Sequence, residues 1–478
     1  MKHGATTKNC DNYSEKGTTR IRAFSGRLSD PYIAMYVCIL VFCSIPSKFL
    51  FYFAGPFALL LGAKYRGFLD IRHVLFILTL ATVASLSLLL ETSVAVLPSL
   101  LWPLTYGTFI VIAMYLIASP RALVIPTTMQ MVVQLATYWV CVQGLVGITQ
   151  YWLSGNPDGV AGTVGLLDFL GSITINQVYF GFAVLSLLPA IVLWPYRLRL
   201  RWFSFLIGVV AVGLSQSGHA IFAFLVAITF VYVVGAMRIR DILRGALAAS
   251  LAFTSLMWAY PNSLDVARTW YERMVSPENP KMMAMLQLLE DSVEDDKLVL
   301  LGSGPGQYLS RASLIGSGLL TNFESRYQQV PDRLNGSFVS ILTYYSEVGE
   351  GSAVVKPYNS FMSIYSEWGA LIATALVCAI VTLSVGNVIR ARSCPVEEAF
   401  LRRYVSFYVM FLGLVSMIEL YFEMPAAIAP GGWVAVVALA RARQLARCRR
   451  FRIQDALPPV REDKGQVIPE GGQHGGAA

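Results

Sequence analysis

Long hydrophobic runs alternate with short polar connections along most of the chain. Most of these runs are long enough, or nearly long enough, for a helix to cross a bilayer. They lack the ten-residue alternation of apolar and polar positions that is typical of transmembrane barrel strands, and helices satisfy every backbone hydrogen bond within lipid. The pattern therefore predicts an all-α integral membrane protein with about twelve transmembrane helices.

The first hydrophobic stretch, Tyr32–Leu61, is broken by Pro46-Ser47-Lys48 and predicts two short helices in a hairpin, with one long kinked helix as the alternative. The other helices are predicted at ten segments: His73–Leu90, Pro98–Ala118, Thr128–Tyr151, Thr174–Trp194, Trp202–Leu214, Ala220–Gly235, Ile242–Ala259, Phe361–Val385, Tyr404–Leu420 and Ala426–Ala440.

One long polar segment interrupts the hydrophobic runs and predicts a large loop between membrane helices. The resulting domain organisation is a cytoplasmic tail (1–30), transmembrane helices 1–9 (31–259), the long loop (260–357), transmembrane helices 10–12 (358–440), and a basic and then disordered cytoplasmic tail (441–478). A loop of this size, held between membrane helices, is a natural place for chemistry on an extracytoplasmic substrate.

Lysine and arginine are concentrated in alternate connections, and the intervening connections hold few cations. The positive-inside rule then predicts that both termini are cytoplasmic and that the long loop is periplasmic in a Gram-negative inner membrane. The basic connections hold Arg72, Arg121, Arg199, Arg240, Arg392 and Arg441. Because the net charge of +8 is spread over these short clusters, it gives no indication of nucleic-acid binding.

The absence of several sequence motifs argues against several classes of protein. The seven cysteines include no C-x-x-C pair, so neither a disulfide framework nor a metal site is predicted. The patterns G-x-x-x-x-G-K-[ST], H-E-x-x-H and G-x-S-x-G are all absent. An ATP-driven pump and a zinc protease are therefore not expected, and no cofactor is predicted.

Several polar residues on the predicted outer side are candidates for chemistry. His219 follows an outer turn, where an imidazole acts as a base or a phosphate partner, although a helix-end histidine bonded to a carbonyl fits equally. Glu367 lies in an apolar run and is the competing base. Glu419 and Glu423 are explained as interfacial charges, on one helix face if that helix continues to Pro425.

Cations of the long loop are candidates for binding a lipid diphosphate, because an arginine or lysine near the membrane pairs with phosphate oxygens. Arg273 and Lys281 rank above the rest, since they flank the Met- and Leu-rich segment Lys281–Leu289. That segment predicts a helix that either packs over the spans or lies on the membrane surface. Residues 302–306 are either a phosphate-binding nest or a tight turn. The other loop cations are Arg268, Lys297, Arg311, Arg326, Arg333 and Lys356.

Short motifs resemble those of the O-antigen ligase and Wzy-type polysaccharide polymerase family. The family's Pro-His-Asn-Ser-aromatic segment and its Glu-x-Gly are similar to Lys356-Pro357-Tyr358-Asn359-Ser360-Phe361 and Glu367-Trp368-Gly369. Its Leu-x-Gly-x-Gly-Pro-Gly turn is similar to Leu300-Leu301-Gly302-Ser303-Gly304-Pro305-Gly306. Its upstream Asn and Ser-x-Ser are similar to Asn176 and Ser215-Gln216-Ser217, and Lys281 stands where the family carries an arginine. Tyr358 replaces the ligase histidine, which favours a polymerase.

The resemblance implies transfer of a polyprenyl-diphosphate-linked oligosaccharide onto a second lipid-linked unit, without a metal or a nucleotide. It also implies that the reaction takes place in the lipid of the inner membrane, alongside flippase and chain-length-regulator proteins. The predicted catalytic residues are His219 and its competitor Glu367, chosen from their positions in the chain, and Tyr358, which stands where ligases carry the histidine. The substrate-binding residues are expected to be Arg273, Lys281, Lys356, Asn359, Gly304, Gly306 and Asn176. The alternatives are an O-antigen ligase and a transporter or flippase for lipid-linked oligosaccharides.

Overall fold

The computed structural model describes residues 30–47, 50–65, 67–166, 177–234, 278–319, 329–334, 337–348 and 356–456, with isolated positions between 243 and 276. Within these residues the secondary structure is helical and no β-strand occurs. Residues 20–442 form one compact unit, to which all contacts below belong. Residues 1–19 and 443–478 form a second unit, of which the helical residues 443–456 are described.

Eleven apolar helices occur in the described part of the chain: α1 (Pro31–Phe42), α2 (Ala54–Ala63), α3 (Ile71–Leu89), α4 (Val96–Ile117), α5 (Pro126–Ser154), α6 (Gln177–Leu193), α7 (Arg201–Leu214), α8 (Gly218–Thr229), α13 (Ser360–Ala391), α14 (Val396–Ser416) and α15 (Pro425–Ala456). Six of them, α3, α4, α5, α13, α14 and α15, are long and apolar enough to cross a membrane. The chain is therefore of the α-helical membrane type.

Four further helices come from the predicted loop: α9 (Pro280–Glu294), α10 (Asp296–Leu301), α11 (Arg311–Gly316) and α12 (Ser337–Val348). The apolar helices coincide with the predicted segments to within a few residues at most of their ends. The break inside Tyr32–Leu61 separates two helical elements, because α1 ends at Phe42 and helical structure resumes at Leu50. Only isolated positions of the predicted helix Ile242–Ala259 are described, so the total of about twelve stays a prediction.

The centre of the bundle is formed by α14 and α15, which are the most enclosed of the long apolar helices. Close packing there depends on small residues, since a Cβ added at Gly431 lies 2.3 Å from the Ser186 hydroxyl oxygen. Buried tyrosines then satisfy backbone carbonyls: the Tyr404 hydroxyl donates to Ser186 O at 3.1 Å, and the Tyr408 hydroxyl donates to Ile428 O at 2.8 Å. The helices α3 and α13 lie at the periphery.

The loop helices pack on one end of this bundle, which we call the loop-side end. They have a hydrophobic core of their own, and it includes Tyr358, Met362 and Leu420 from the ends of the long helices. In α9, Ala284 and Leu288 are buried in this core, so the helix packs over the spans. An ion-pair cluster anchors α10 beside α3, because Glu91 accepts hydrogen bonds from the side chains of both Lys297 and Arg333.

The basic connections meet at the opposite end of the bundle. Arg121 Nε pairs with Asp70 at 3.2 Å, and Arg441 bonds both Val124 O and the Glu397 carboxylate, each at 3.2 Å. The described basic connections with Arg121 and Arg441 thus share one end, and the described helices of the long loop lie at the other.

Candidate functional site

The connection between α14 and α15 lies at the loop-side end and carries Glu419 and Glu423. A short 3₁₀ turn, Tyr421–Glu423, separates the two helices. Ser360, the first residue of α13, holds this connection because its N–H and its hydroxyl donate to Glu419 O at 3.3 and 3.1 Å. Since α14 ends at Ser416, the helix does not continue to Pro425, and the condition for both carboxylates to share one helix face is not met.

Glu419 is the centre of a polar cluster and is 1% exposed. Its Oε1 atom accepts hydrogen bonds from the Lys356 ammonium and from the Tyr179 hydroxyl, the latter at 3.2 Å. Its Oε2 atom is buried and has no hydrogen-bond partner. Burial alone raises the pKa of Glu419, but the nearby cations, led by Lys356, outweigh it and hold the pKa below its usual range. The carboxylate is therefore ionised at neutral pH.

Lys281 reaches the same connection from the start of α9. Asn279 caps that helix by accepting a hydrogen bond from Lys281 N at 2.8 Å, which fixes where the side chain leaves the helix. The Lys281 ammonium donates to Ile418 O. Burial lowers the pKa of this ammonium to about 7, an effect that the Glu419 carboxylate opposes and the Lys356 charge strengthens.

His219 belongs to the same cluster through Tyr421. The imidazole is 7% exposed, and its Nε2 atom lies 3.0 Å from the Tyr421 hydroxyl. Tyr421 in turn packs edge-on against Tyr179, with ring centroids 5.2 Å apart. The predicted base is thus close to Glu419, and its partner is a tyrosine hydroxyl rather than a loop carbonyl.

Arg311 supplies a third cation. Its Nε atom donates to the Tyr52 hydroxyl at 2.6 Å, and its guanidinium lies 6.0 Å from the ring centroid of Tyr179. Among the described residues, no carboxylate pairs with this guanidinium, although the backbone N–H of Arg311 donates to Glu423 at 2.5 Å. The terminal amino groups of the guanidinium are therefore available to a planar anion.

Glu423 lies close to Arg311 and is fully buried. Its carboxylate accepts hydrogen bonds from Arg311 N and from the Ser363 hydroxyl, the second at 3.1 Å. Burial, followed by the charge of neighbouring Glu367, raises the pKa of Glu423 to about 8. Near pH 7 this group is largely protonated, so it removes little positive charge from the site.

Glu367 accepts hydrogen bonds from three backbone N–H groups of the glycine-rich turn. Gly306 N donates to Oε2 at 2.9 Å, while Tyr308 N and Ser310 N donate to Oε1 at 3.3 and 3.1 Å. Of the segment 302–306 considered as a phosphate nest, Gly306 thus binds a carboxylate of the protein itself, and Ser303 and Gly304 donate to backbone carbonyls. These contacts favour a structural role for Glu367 and Gly306, and their predicted catalytic and substrate-binding roles stay predictions.

Asn359 and Gly304, which come from the two family-like motifs, also have clear structural roles. Asn359 caps α13 by accepting hydrogen bonds from Phe361 N and Met362 N, both at 3.0 Å. Gly304 has a φ of +98°, and a Cβ there lies 2.7 Å from Leu88. Tyr358 is 6% exposed, and burial first and the Glu419 charge second raise the pKa of its hydroxyl, while the nearby Arg311 opposes that rise.

The structure brings together His219, Lys281, Lys356 and Tyr358 from the predicted set, whereas Arg273 and Asn176 lie outside the described residues. Sequence reasoning named Arg311 only among the lower-ranked loop cations, and it interpreted Glu419 and Glu423 as interfacial charges. The available signal was that ionisable groups at membrane depth are costly and usually functional, which applies to both glutamates. Arg311 carried no such signal.

No protein-family model matches the chain, and no curated protein matches it.

Proposed function

We propose that this protein is a membrane glycosyltransferase that polymerises lipid-diphosphate-linked oligosaccharide repeat units into a surface polysaccharide or exopolysaccharide. The reaction takes place at the outer face of the bacterial inner membrane, and both termini are cytoplasmic. One observation carries the proposal: Lys281 and Lys356 lie beside the Glu419 and His219 side chains at the loop-side end of a helix bundle, and Arg311 lies near the ring of Tyr179, whose hydroxyl bonds Glu419.

The charge of this cluster suits a diphosphate diester, which carries two negative charges. Glu419 offsets one cation, and Glu423 offsets little because it is largely protonated near pH 7. A net positive charge therefore remains beside a guanidinium whose fork fits phosphate oxygens. Bound there, the cations stabilise the charge that develops on the leaving diphosphate.

An apolar groove supports a lipid-linked donor. It has a volume of about 610 Å³ and runs between α13 and α14. Phe361, Tyr365 and Met417 line its end nearest Glu419, while Val377, Ile380 and Val381 line it further along the helices. A prenyl chain in this groove brings its diphosphate to the level of the cations.

The proposed chemistry is a single displacement. The hydroxyl of one lipid-linked glycan attacks the anomeric carbon of another, a new glycosidic bond forms, and the bond to the diphosphate breaks. The diphosphate leaves with the electron pair, which the lysines and Arg311 stabilise, while a base accepts the hydroxyl proton. The activated donor makes a nucleotide unnecessary.

The test is reconstitution of the purified full chain in proteoliposomes with lipid-linked repeat units extracted from cells that lack polymerase activity. We expect a ladder of lengthened glycans on a gel. Arg311→Gln is expected to weaken donor binding by about 10- to 100-fold, as loss of a charged hydrogen bond does. The matched control is Arg121→Gln, an exposed arginine at the opposite end of the bundle, which is expected to leave the ladder unchanged.

Other products contradict the proposal. Transfer of a finished glycan to a different acceptor indicates a ligase, which Tyr358 in place of the ligase histidine disfavours. Movement of single units across the bilayer with no new bond indicates a transporter or flippase. Wild-type protein that yields only single units under conditions where it binds the donor also rejects polymerisation.

A further inference from the structure

The unpartnered oxygen of Glu419 is the one feature of the cluster that the proposed function leaves unexplained. Both donors to this carboxylate, the Lys356 ammonium and the Tyr179 hydroxyl, bond Oε1. None of the described residues donates to Oε2, although that atom is buried. A buried anionic oxygen without a donor destabilises the fold, so its retention points to a bond that forms with a ligand.

The other candidate proton acceptors at this end already have partners. Both oxygens of Glu367 accept backbone hydrogen bonds. Both oxygens of Glu423 also accept hydrogen bonds, one from the backbone N–H of Arg311 and one from the Ser363 hydroxyl. The Nε2 atom of His219 faces the Tyr421 hydroxyl. Among the oxygens of Glu367, Glu419 and Glu423, Glu419 Oε2 is therefore the one that is left to accept a hydrogen bond from a new donor.

We propose that Glu419 is a catalytic residue, and that its Oε2 atom receives the proton of the acceptor sugar hydroxyl. This role presupposes the glycosyl transfer proposed above. As the oxygen–hydrogen bond of the acceptor breaks, its electron pair forms the new bond to the anomeric carbon. The bond from that carbon to the diphosphate oxygen breaks in turn, and the diphosphate carries the electrons away. The proton stays on Glu419 until it passes to water.

Lys356 links donor binding to the reactivity of Glu419. Its side chain is 14% exposed and covers Glu419, whose side chain is 2% exposed. A diphosphate beside the exposed part of Lys356 competes with Glu419 for the Lys356 ammonium. A lysine side chain is long enough to turn towards that diphosphate. Loss of that partner, together with two new negative charges nearby, strengthens Glu419 as a base. The carboxylate thus gains basicity and access when the donor is in place.

The experiment separates turnover from donor binding in the full chain. Turnover is measured in proteoliposomes with lipid-linked repeat units, and binding is measured with polyprenyl diphosphate that carries no sugar. Glu419→Gln is expected to lower kcat by about 10²- to 10⁴-fold, the usual worth of a general base, while polyprenyl diphosphate binds within about threefold of wild type. Glu419→Asp is expected to retain more turnover than Glu419→Gln.

The control is Glu290→Gln, an exposed carboxylate on α9 at the same end of the bundle, which is expected to match wild type. If Glu419→Gln keeps kcat within about fivefold of wild type, or if both Glu419 variants lose diphosphate binding in parallel with turnover, Glu419 is not the base. A larger loss of kcat in His219→Gln than in Glu419→Gln also overturns the proposal in favour of the imidazole. Failure of wild-type protein to lengthen glycans rejects the proposed function instead.

Discussion

Lys281 and Arg311 are cations of the same site, but their charges respond differently to pH. A guanidinium keeps its charge throughout the physiological range, whereas a buried ammonium loses its proton readily. Burial lowers the pKa of Lys281 to about 7. The positive charge available to a diphosphate therefore depends on pH through Lys281, and Arg311 supplies the part that does not change.

We expect the affinity for polyprenyl diphosphate to fall as pH rises from 7 to 9. The lowered pKa means that Lys281 is charged below about pH 7 and neutral above it, so the attraction is lost on the alkaline side. Lys281→Arg is expected to remove this fall, because arginine stays charged. Binding titrations between pH 6 and 9 test this, with Lys297→Arg as the control that keeps the wild-type profile. An equal fall in Lys281→Arg assigns the titration to another group.

The sequence indicated which residues near the loop are candidates for the site, but it did not indicate which of them pair with each other. The sequence singled out Lys281 and Lys356 because they are cations at the expected membrane boundary. It singled out His219 because histidine is rare in this chain. Arg311 resembled any other loop cation, because its partners Tyr52 and Tyr179 are far away in the chain. Glu419 was taken as an interfacial charge because nothing local shows that Lys356 reaches it.

At the scale of elements, the glycine-rich turn and the first turns of α13 form one interlocked unit. Gly369 interrupts α13 with a φ of +77°, and a Cβ there lies 2.6 Å from the Leu300 backbone. Ser303 N and Gly304 N donate to the carbonyls of Ser366 and Glu367 at 2.8 and 3.1 Å. The close approach of two backbones explains why glycine is required at this point.

We expect Gly369→Ala to destabilise the protein by about 1–3 kcal/mol, because alanine adds strain at a positive φ as well as a clash with the Leu300 backbone. Gly386→Ala lies in the same helix, and its Cβ meets nothing within 4 Å. This control is expected to be neutral or slightly stabilising, as alanine is the better helix former. Thermal unfolding in detergent compares the two. Equal melting temperatures would show that the interlocked unit tolerates a shift.

Element positions were largely predictable from hydrophobic runs, while their ends and interruptions were not. The helix predicted to Leu420 ends at Ser416, because the Ser360 contacts hold the following connection in a non-helical path. The kink at Gly369 is set by a backbone more than sixty residues earlier in the chain. A local pattern carries no information about such contacts.

At the scale of the whole bundle, charge differs between the two ends. The basic connections gather at one end, where Arg121 pairs with Asp70 and Arg441 pairs with Glu397. The other end holds the loop helices and the acidic residues Glu91, Asp295 and Glu419. Cytoplasmic connections of membrane proteins are enriched in lysine and arginine. By this rule the basic end is predicted to be cytoplasmic, and the candidate site is predicted to face away from the cytoplasm.

We expect a reporter that is active only outside the cytoplasm to work when it is fused at Asp295 and to fail when it is fused at Arg392. Asp295 lies between α9 and α10, and Arg392 immediately follows α13 at the basic end. Arg240, in another basic connection, is expected to behave like Arg392. A second reporter that is active only inside the cytoplasm should give the reverse pattern, which separates orientation from poor expression. Activity of the external reporter at Arg392 and its loss at Asp295 would invert the topology, and an extracytoplasmic glycan would then have no access to Lys281, Lys356 and Arg311.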